Sequence, residues 1–127
     1  MTEFYEQVKE RLMRYVRINT ESNPHSTSVP TTSCQHDLAS VIYEELQKIG
    51  ATNVYYDKDT CVVYGSLEAN VKSGRAIGFV THMDTAPDAS GKDVKPWVLE
   101  NYDGNDIVLN KEKDIVMSPS VFPKLKQ

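Results

Sequence analysis

Apolar positions near the start of the chain recur at helical spacing. Phe4, Val8, Leu12 and Val16 fall four apart, with Tyr5, Met13 and Tyr15 beside them, which is the period of a helix that covers one face. The pattern predicts a helix over residues 3–18, with Thr2 as its N-cap. It is lost after Asn19, where residues 19–33 are polar, rich in Ser, Thr and Pro, and without an apolar period. A loop of that length inside a domain is usually functional or disordered. The helical period returns with Leu38, Val41, Ile42, Leu46 and Ile49. Thr32 and Gln35 are spaced as the reciprocal partners of a capping box ahead of this second helix, and Gly50 is its expected stop.

Beyond Gly50 the period shortens. Residues 53–56 and 61–66 read as two strands joined by Asp57-Lys58-Asp59, a hairpin with Cys61 packed in its second strand. Residues 71–74 are a connection. Residues 75–81, with Ala76-Ile77-Gly78-Phe79-Val80 at their centre, are too few for a helix and read as a fully buried strand that runs into His82. Pro87, Gly91, Pro96 and Gly104 then punctuate the chain, and short strands are expected at residues 97–100, 107–109 and 115–117. The order helix, helix, hairpin, buried strand gives an α/β fold, two N-terminal helices followed by a mixed sheet.

The length, 127 residues, suits one domain or a piece of a larger one. A net charge of −4 argues against nucleic acid, which calls for a clustered basic face. The basic residues between Lys9 and Arg17 are spaced around a helix and read as a solvated face. No apolar run approaches a membrane span, and Met1-Thr2-Glu3-Phe4 lacks the basic start and apolar centre of a secretory signal. A cytoplasmic protein with two reduced thiols, Cys34 and Cys61, is therefore expected. Cys34 lies two residues from His36, but no carboxylate completes a nucleophile–base–orienter set.

Candidate chemistry gathers at His82-Met83-Asp84. In open α/β sheets ligands bind beyond the carboxyl ends of the strands, where His82 would emerge. In extended backbone Asp84 points to the same side as His82. A carboxylate so placed can accept the second ring N–H of a metal-bound imidazole. Spacing alone favours the plainer arrangement, a histidine held by an ordinary hydrogen bond with Asp84 simply starting a turn.

The residues around that pair resemble the peptidase T family, the aminotripeptidase branch of the cytosolic di-zinc exopeptidases. The resemblance is carried by Gly78 to Thr85, Pro87-Asp88 and Ser90-Gly91-Lys92. It continues through Val94, Pro96, Glu100-Asn101-Tyr102, Gly104 and Asp106-Ile107 to Ser118-Pro119 and Phe122-Pro123. Upstream, Arg14 to Thr20 followed by Ser22 is similar to the family's first helix and following loop.

The resemblance implies a helix/sheet/helix catalytic domain, with His82 a ligand of one zinc ion and Asp84 the catalytic-site carboxylate that braces its imidazole. It further implies a small-peptide substrate, with zinc polarising the scissile carbonyl and water releasing the N-terminal residue of a tripeptide. The family's bridging aspartate, paired glutamates, further carboxylate and final histidine have no counterpart before Gln127, and its dimerisation domain is absent. The acidic residues after Asp84 form no such pair, and His25 and His36 match no family ligand. Residues 1–127 are thus expected to be the N-terminal portion of a metallopeptidase catalytic domain, holding at most a partial zinc site and inactive alone. The alternative is a non-catalytic binding or regulatory domain derived from the same half-fold.

Overall fold

Helix α1 spans Glu3–Tyr15 and helix α2 spans Gln35–Lys48 in a computed structural model that describes residues 3–72 and 74–126. Thr2, the expected cap of α1, and Ser73 in the expected connection lie outside the described residues. The regular helix stops three residues before the predicted end. Val16 still donates to the Leu12 carbonyl, whereas Arg17 and Ile18 reach back only to Arg14 and Tyr15, a tightened closing turn. The apolar stripe of α1 stays largely uncovered, with Phe4, Val8 and Leu12 exposed. Its ties to α2 are polar: Glu45 accepts the Tyr15 hydroxyl and pairs with Arg14 and Arg11. The arginines reach in from the surface, but the carboxylate they share is only 15% exposed, so the tether rests on one largely covered acidic group.

Helix α2 ends as its sequence requires. Ala51 N–H donates to Leu46 O at 2.9 Å and Gly50 N–H to Gln47 O at 3.0 Å, while Gly50 takes φ +80°. These are the paired bonds of a Schellman cap, which needs a residue tolerant of the left-handed region. The start of α2 differs from expectation. Its N-cap is Cys34, which makes no side-chain cap. Thr32 Oγ1 donates instead to the Glu21 carbonyl at 2.7 Å, and Gln35 Nε2 turns back to the hydroxyls of Thr31 and Thr32, each at 3.1 Å. A tertiary partner has displaced the local capping box.

The hairpin follows, with β1 at Thr52–Asp57 and β2 at Val62–Ser66, antiparallel and in register at Tyr55–Tyr64 and Asp57–Val62. The Asp57 carboxylate builds the turn, accepting Asp59 N–H at 3.0 Å and the Thr60 hydroxyl at 2.7 Å. These bonds hold the Asp57 carboxyl below the usual range, the Thr60 hydroxyl contributing most. Cys61 closes the turn in a left-handed conformation, φ +58°, just before β2 rather than within it.

Helix α2 packs against both strands of the hairpin. The covered centre is small, with Ala39 fully buried and Leu38 and Cys61 nearly so. Gly65 permits the approach, because a Cβ there would lie 3.2 Å from Leu46 Cδ1. His36 Nδ1 and the Tyr56 hydroxyl, 2.5 Å apart, add a polar link between helix and hairpin.

The chain divides into two compact units, Met1–Pro96 and Trp97–Gln127. The second holds an antiparallel hairpin, β3 (Ile107–Asn110) and β4 (Ile115–Met117), and a short 3₁₀ helix at Pro123–Lys126. The first hairpin falls where the pattern places it, and β3 and β4 match two of the short strands expected later in the chain, here joined as a pair.

The α/β composition holds, but the strands form two separate antiparallel pairs. Two expected strands are not formed. Residues 75–81 and 97–100 carry no strand assignment, and Ile77, Phe79 and Val80 are exposed, Phe79 at 93%. Their apolar character is that of a buried strand, yet burial requires a neighbour, and among the described residues no strand pairs with Ile77, Phe79 or Val80. No helix among the described residues is long and apolar enough to cross a membrane.

Candidate functional site

Among the described residues, the segment that carries His82 is tied by its backbone just beyond the site, at Thr85. Thr85 N–H donates to Thr20 O at 3.1 Å, and Thr85 O accepts Ser22 N–H at 2.9 Å and the Ser22 hydroxyl at 3.1 Å. The result is a lone parallel bridge between Glu21 and Thr85. Glu21 Oε2 accepts Gly91 N–H at 3.1 Å, and Asn19 Oδ1 accepts Glu21 N–H at 3.1 Å. Gly91 lies so close that an added Cβ would sit 3.0 Å from Asn19 Oδ1 and 3.1 Å from Thr85 Oγ1. The polar loop after α1 is therefore no free linker, since it docks the chain that follows the candidate ligand.

His82 Nδ1 lies 3.0 Å from Asp84 Oδ1. With a carboxylate as its partner, Nδ1 carries the proton of the neutral ring, and Nε2 keeps its lone pair for another ligand. The imidazole is exposed and the carboxylate half-buried, so the free nitrogen is open to solvent. His82, Met83 and Asp84 border a pocket of about 230 Å³ walled by Gln35, Ile42, Cys61 and β2 residues Val62 and Val63. Asp84 and Gln35 also border a second pocket of about 420 Å³, whose polar wall is the loop: Ser22, Asn23, Ser28 and Thr31. Hydroxyls and amides of this kind can hydrogen-bond a peptide-like backbone.

The other titratable candidates are elsewhere. His25 is exposed in the loop, and His36 is committed to Tyr56. Burial pushes the Cys61 thiol up, and the Tyr56 phenol is raised for the same reason first. A thiol so held is a poor nucleophile at neutral pH. Cys34 Sγ faces Thr32 Oγ1 at 3.3 Å and the Glu21 carbonyl at 3.9 Å, neither of which is a general base. Among the described residues no three of His, Cys, Asp and Glu gather to hold a metal ion. A catalytic zinc takes three protein ligands, so the residues present fit one corner of such a site, a single imidazole nitrogen with its bracing carboxylate.

The roles of Thr20, Glu21, Ser22 and Gln35 escaped the sequence. Glu21 and Gly91 stand 70 residues apart, and neither hydrophobic period nor local motif links them.

No protein-family model matches the sequence. Whole-chain similarity does reach known proteins. Peptidase T of Alkaliphilus oremlandii is 48% identical over 120 residues, which are 92% of this chain and 29% of that protein. Peptidase T of Clostridium acetobutylicum is 48% identical over 121 residues, with 94% and 29% covered. Peptidase T of Geobacillus kaustophilus is 48% identical over 117 residues, with 91% and 28% covered. The chain thus spans less than a third of the length of these relatives. Over that span, which is nearly all of its own length, the chain is similar in sequence to peptidase T.

Proposed function

We propose that this chain is the N-terminal portion of the catalytic domain of a cytoplasmic, zinc-dependent tripeptide aminopeptidase, the family's dimerisation domain lying outside it. The observation that carries the reading is the 3.0 Å contact of His82 Nδ1 with Asp84 Oδ1, set in sequence 48% identical to peptidase T. In this reading Asp84 accepts the Nδ1 proton, fixes the tautomer and holds the ring plane, and His82 presents Nε2 as a ligand. Zinc, when bound, supplies Lewis acidity toward the scissile carbonyl. The polar loop from Ser22 to Thr31 would face the peptide backbone. With one histidine ligand, the chain alone binds zinc weakly and does not hydrolyse tripeptides.

The test is a graft. This chain replaces the matching stretch of Clostridium acetobutylicum peptidase T, and tripeptide hydrolysis is measured with and without His82→Ala. The graft should be active, and loss of His82 should lower kcat/KM at least about a hundredfold, beyond the roughly 10–100-fold typical of losing an outer-shell partner. A folded, zinc-loaded graft that is inactive, or one indifferent to His82→Ala, would overturn the reading.

A further inference from the structure

Under the reading of His82 as a zinc ligand, on which this inference rests, residues 76–84 carry chemistry without regular strand pairing of their own. Among the described residues, the hydrogen bonds between residues 76–92 and the rest of the chain converge on three neighbours, Thr20, Glu21 and Ser22. Glu21 stands at the centre of that set. Its N–H is shaped by Asn19, its carbonyl accepts Thr32 Oγ1 at the entry to α2, and its carboxylate accepts Gly91 N–H.

We infer that Glu21 is a positioning residue for His82 and Asp84: its carboxylate draws Gly91 back onto residues 19–22 and closes a clasp around Thr85. Thr85 directly follows Asp84, so the clasp sets the direction in which the chain leaves the histidine–aspartate pair. Through Thr32 the clasp is referred to α2, the element with the best-covered residues. An ionised acceptor on a backbone N–H makes a stronger bond than a neutral one, and Glu21 is only half-exposed. Gly91 completes the fit from the other side, since any side chain there would press on Asn19 and Thr85. The clasp explains how an otherwise unpaired segment keeps His82 Nδ1 within 3.0 Å of Asp84.

The experiment uses the whole 127-residue chain, comparing wild type with Glu21→Ala and Glu21→Gln. Amide exchange is read at Thr85 and Gly91, and the ring nitrogens of His82 are read by ¹⁵N NMR. In Glu21→Ala, exchange at both amides should rise about tenfold, the scale of one lost bond to a charged group. The His82 ring should relax toward the tautomer mixture of a free imidazole while α2 amides stay protected. Glu21→Gln, which keeps an acceptor oxygen, should restore most of both signals. An unchanged His82 ring in Glu21→Ala overturns the inference.

If Glu21→Ala also exposes α2 amides, Gly91→Ala decides, because it wedges the clasp with Glu21 intact. It should loosen Thr85 and the His82 ring in the same way, and no effect there overturns the inference. Zinc titration followed at the same His82 resonances tests the ligand reading separately. If zinc leaves them unmoved in wild type, that reading fails, while the clasp stands or falls on the Glu21→Ala spectrum.

Discussion

Helix α2 with its hairpin and the segment leading to His82 both carry apolar sequence, yet they differ in what they cover. Leu38 and Ala39 of α2 are buried against β1 and β2. Phe79 and Val80, in a run at least as β-prone, face solvent. Hydrophobic character alone therefore does not place a residue inside. Burial is a property of a pair of surfaces, and α2 has its second surface within this chain. The comparison makes the stability of the chain lopsided, concentrated in α2 and the hairpin and nearly absent from the segment with the chemistry.

Leu38→Ala should produce the largest loss of stability, about 2–4 kcal/mol, the cost of emptying a well-covered leucine site. Denaturant unfolding followed by circular dichroism checks it. A loss under about 1 kcal/mol would show that α2 and the hairpin are no better packed than the rest, and the contrast would collapse.

Asp84→Ala should do the converse. It leaves unfolding within about 0.5 kcal/mol of wild type, as an open site without structural burden does. Zinc affinity, measured by calorimetry, should fall roughly 10–100-fold through loss of the bracing carboxylate. Equal zinc affinity in the two proteins would mean that the 3.0 Å contact with His82 does not serve metal binding.

Gly50→Ala ranks next. Gly50 sits at φ +80° with open space around its Cβ position, so the substitution tests backbone strain alone. A cost of about 1 kcal/mol is expected. A neutral result would show that the end of α2 can rewind without its left-handed residue.

The same contrast explains what was legible beforehand. Helix α2 and its stop at Gly50, and the first hairpin with its turn at Asp57, are specified by neighbours in sequence, through period, cap and turn chemistry. The His82–Asp84 contact was also legible, because two residues of extended chain suffice to bring the side chains to one side. The capping box expected at Thr32 and Gln35 does not form, for the opposite reason. Thr32 Oγ1 found Glu21, a partner set by the tertiary fold, and local spacing carries no sign of it. The bridge from Glu21 to Thr85 was hidden in the same way. The strand expected at residues 75–81 failed because an apolar run reports a demand for cover and says nothing of its supply.

A smaller effect concerns acid. The Asp57 carboxyl is held below its ordinary 3.8 by Thr60 and by the turn amides. A carboxyl depressed in the folded state stabilises that state above the unfolded value, and the contribution is lost as pH falls through the folded one. Exchange of the Asp59 amide, measured by NMR, should therefore quicken relative to α2 amides as pH drops below about 4. Asp57→Asn should remove that dependence. Persistence of the pH dependence in Asp57→Asn would assign it to another group.

The smallest expected effect on stability is the most telling for the comparison. Phe79→Ser removes a large aromatic side chain, a change that in a core costs several kcal/mol. Phe79 is 93% exposed, so there is almost no covered surface to lose, and the change should stay within about 0.5 kcal/mol. Self-association should respond instead, because an uncovered β-prone run is a template for pairing with another chain. Sedimentation at rising concentration should show less association in Phe79→Ser than in wild type, with the thermal midpoint unmoved. A midpoint that falls by several degrees would instead mean that Phe79 is covered in solution and that residues 75–81 have found the neighbour their sequence asks for.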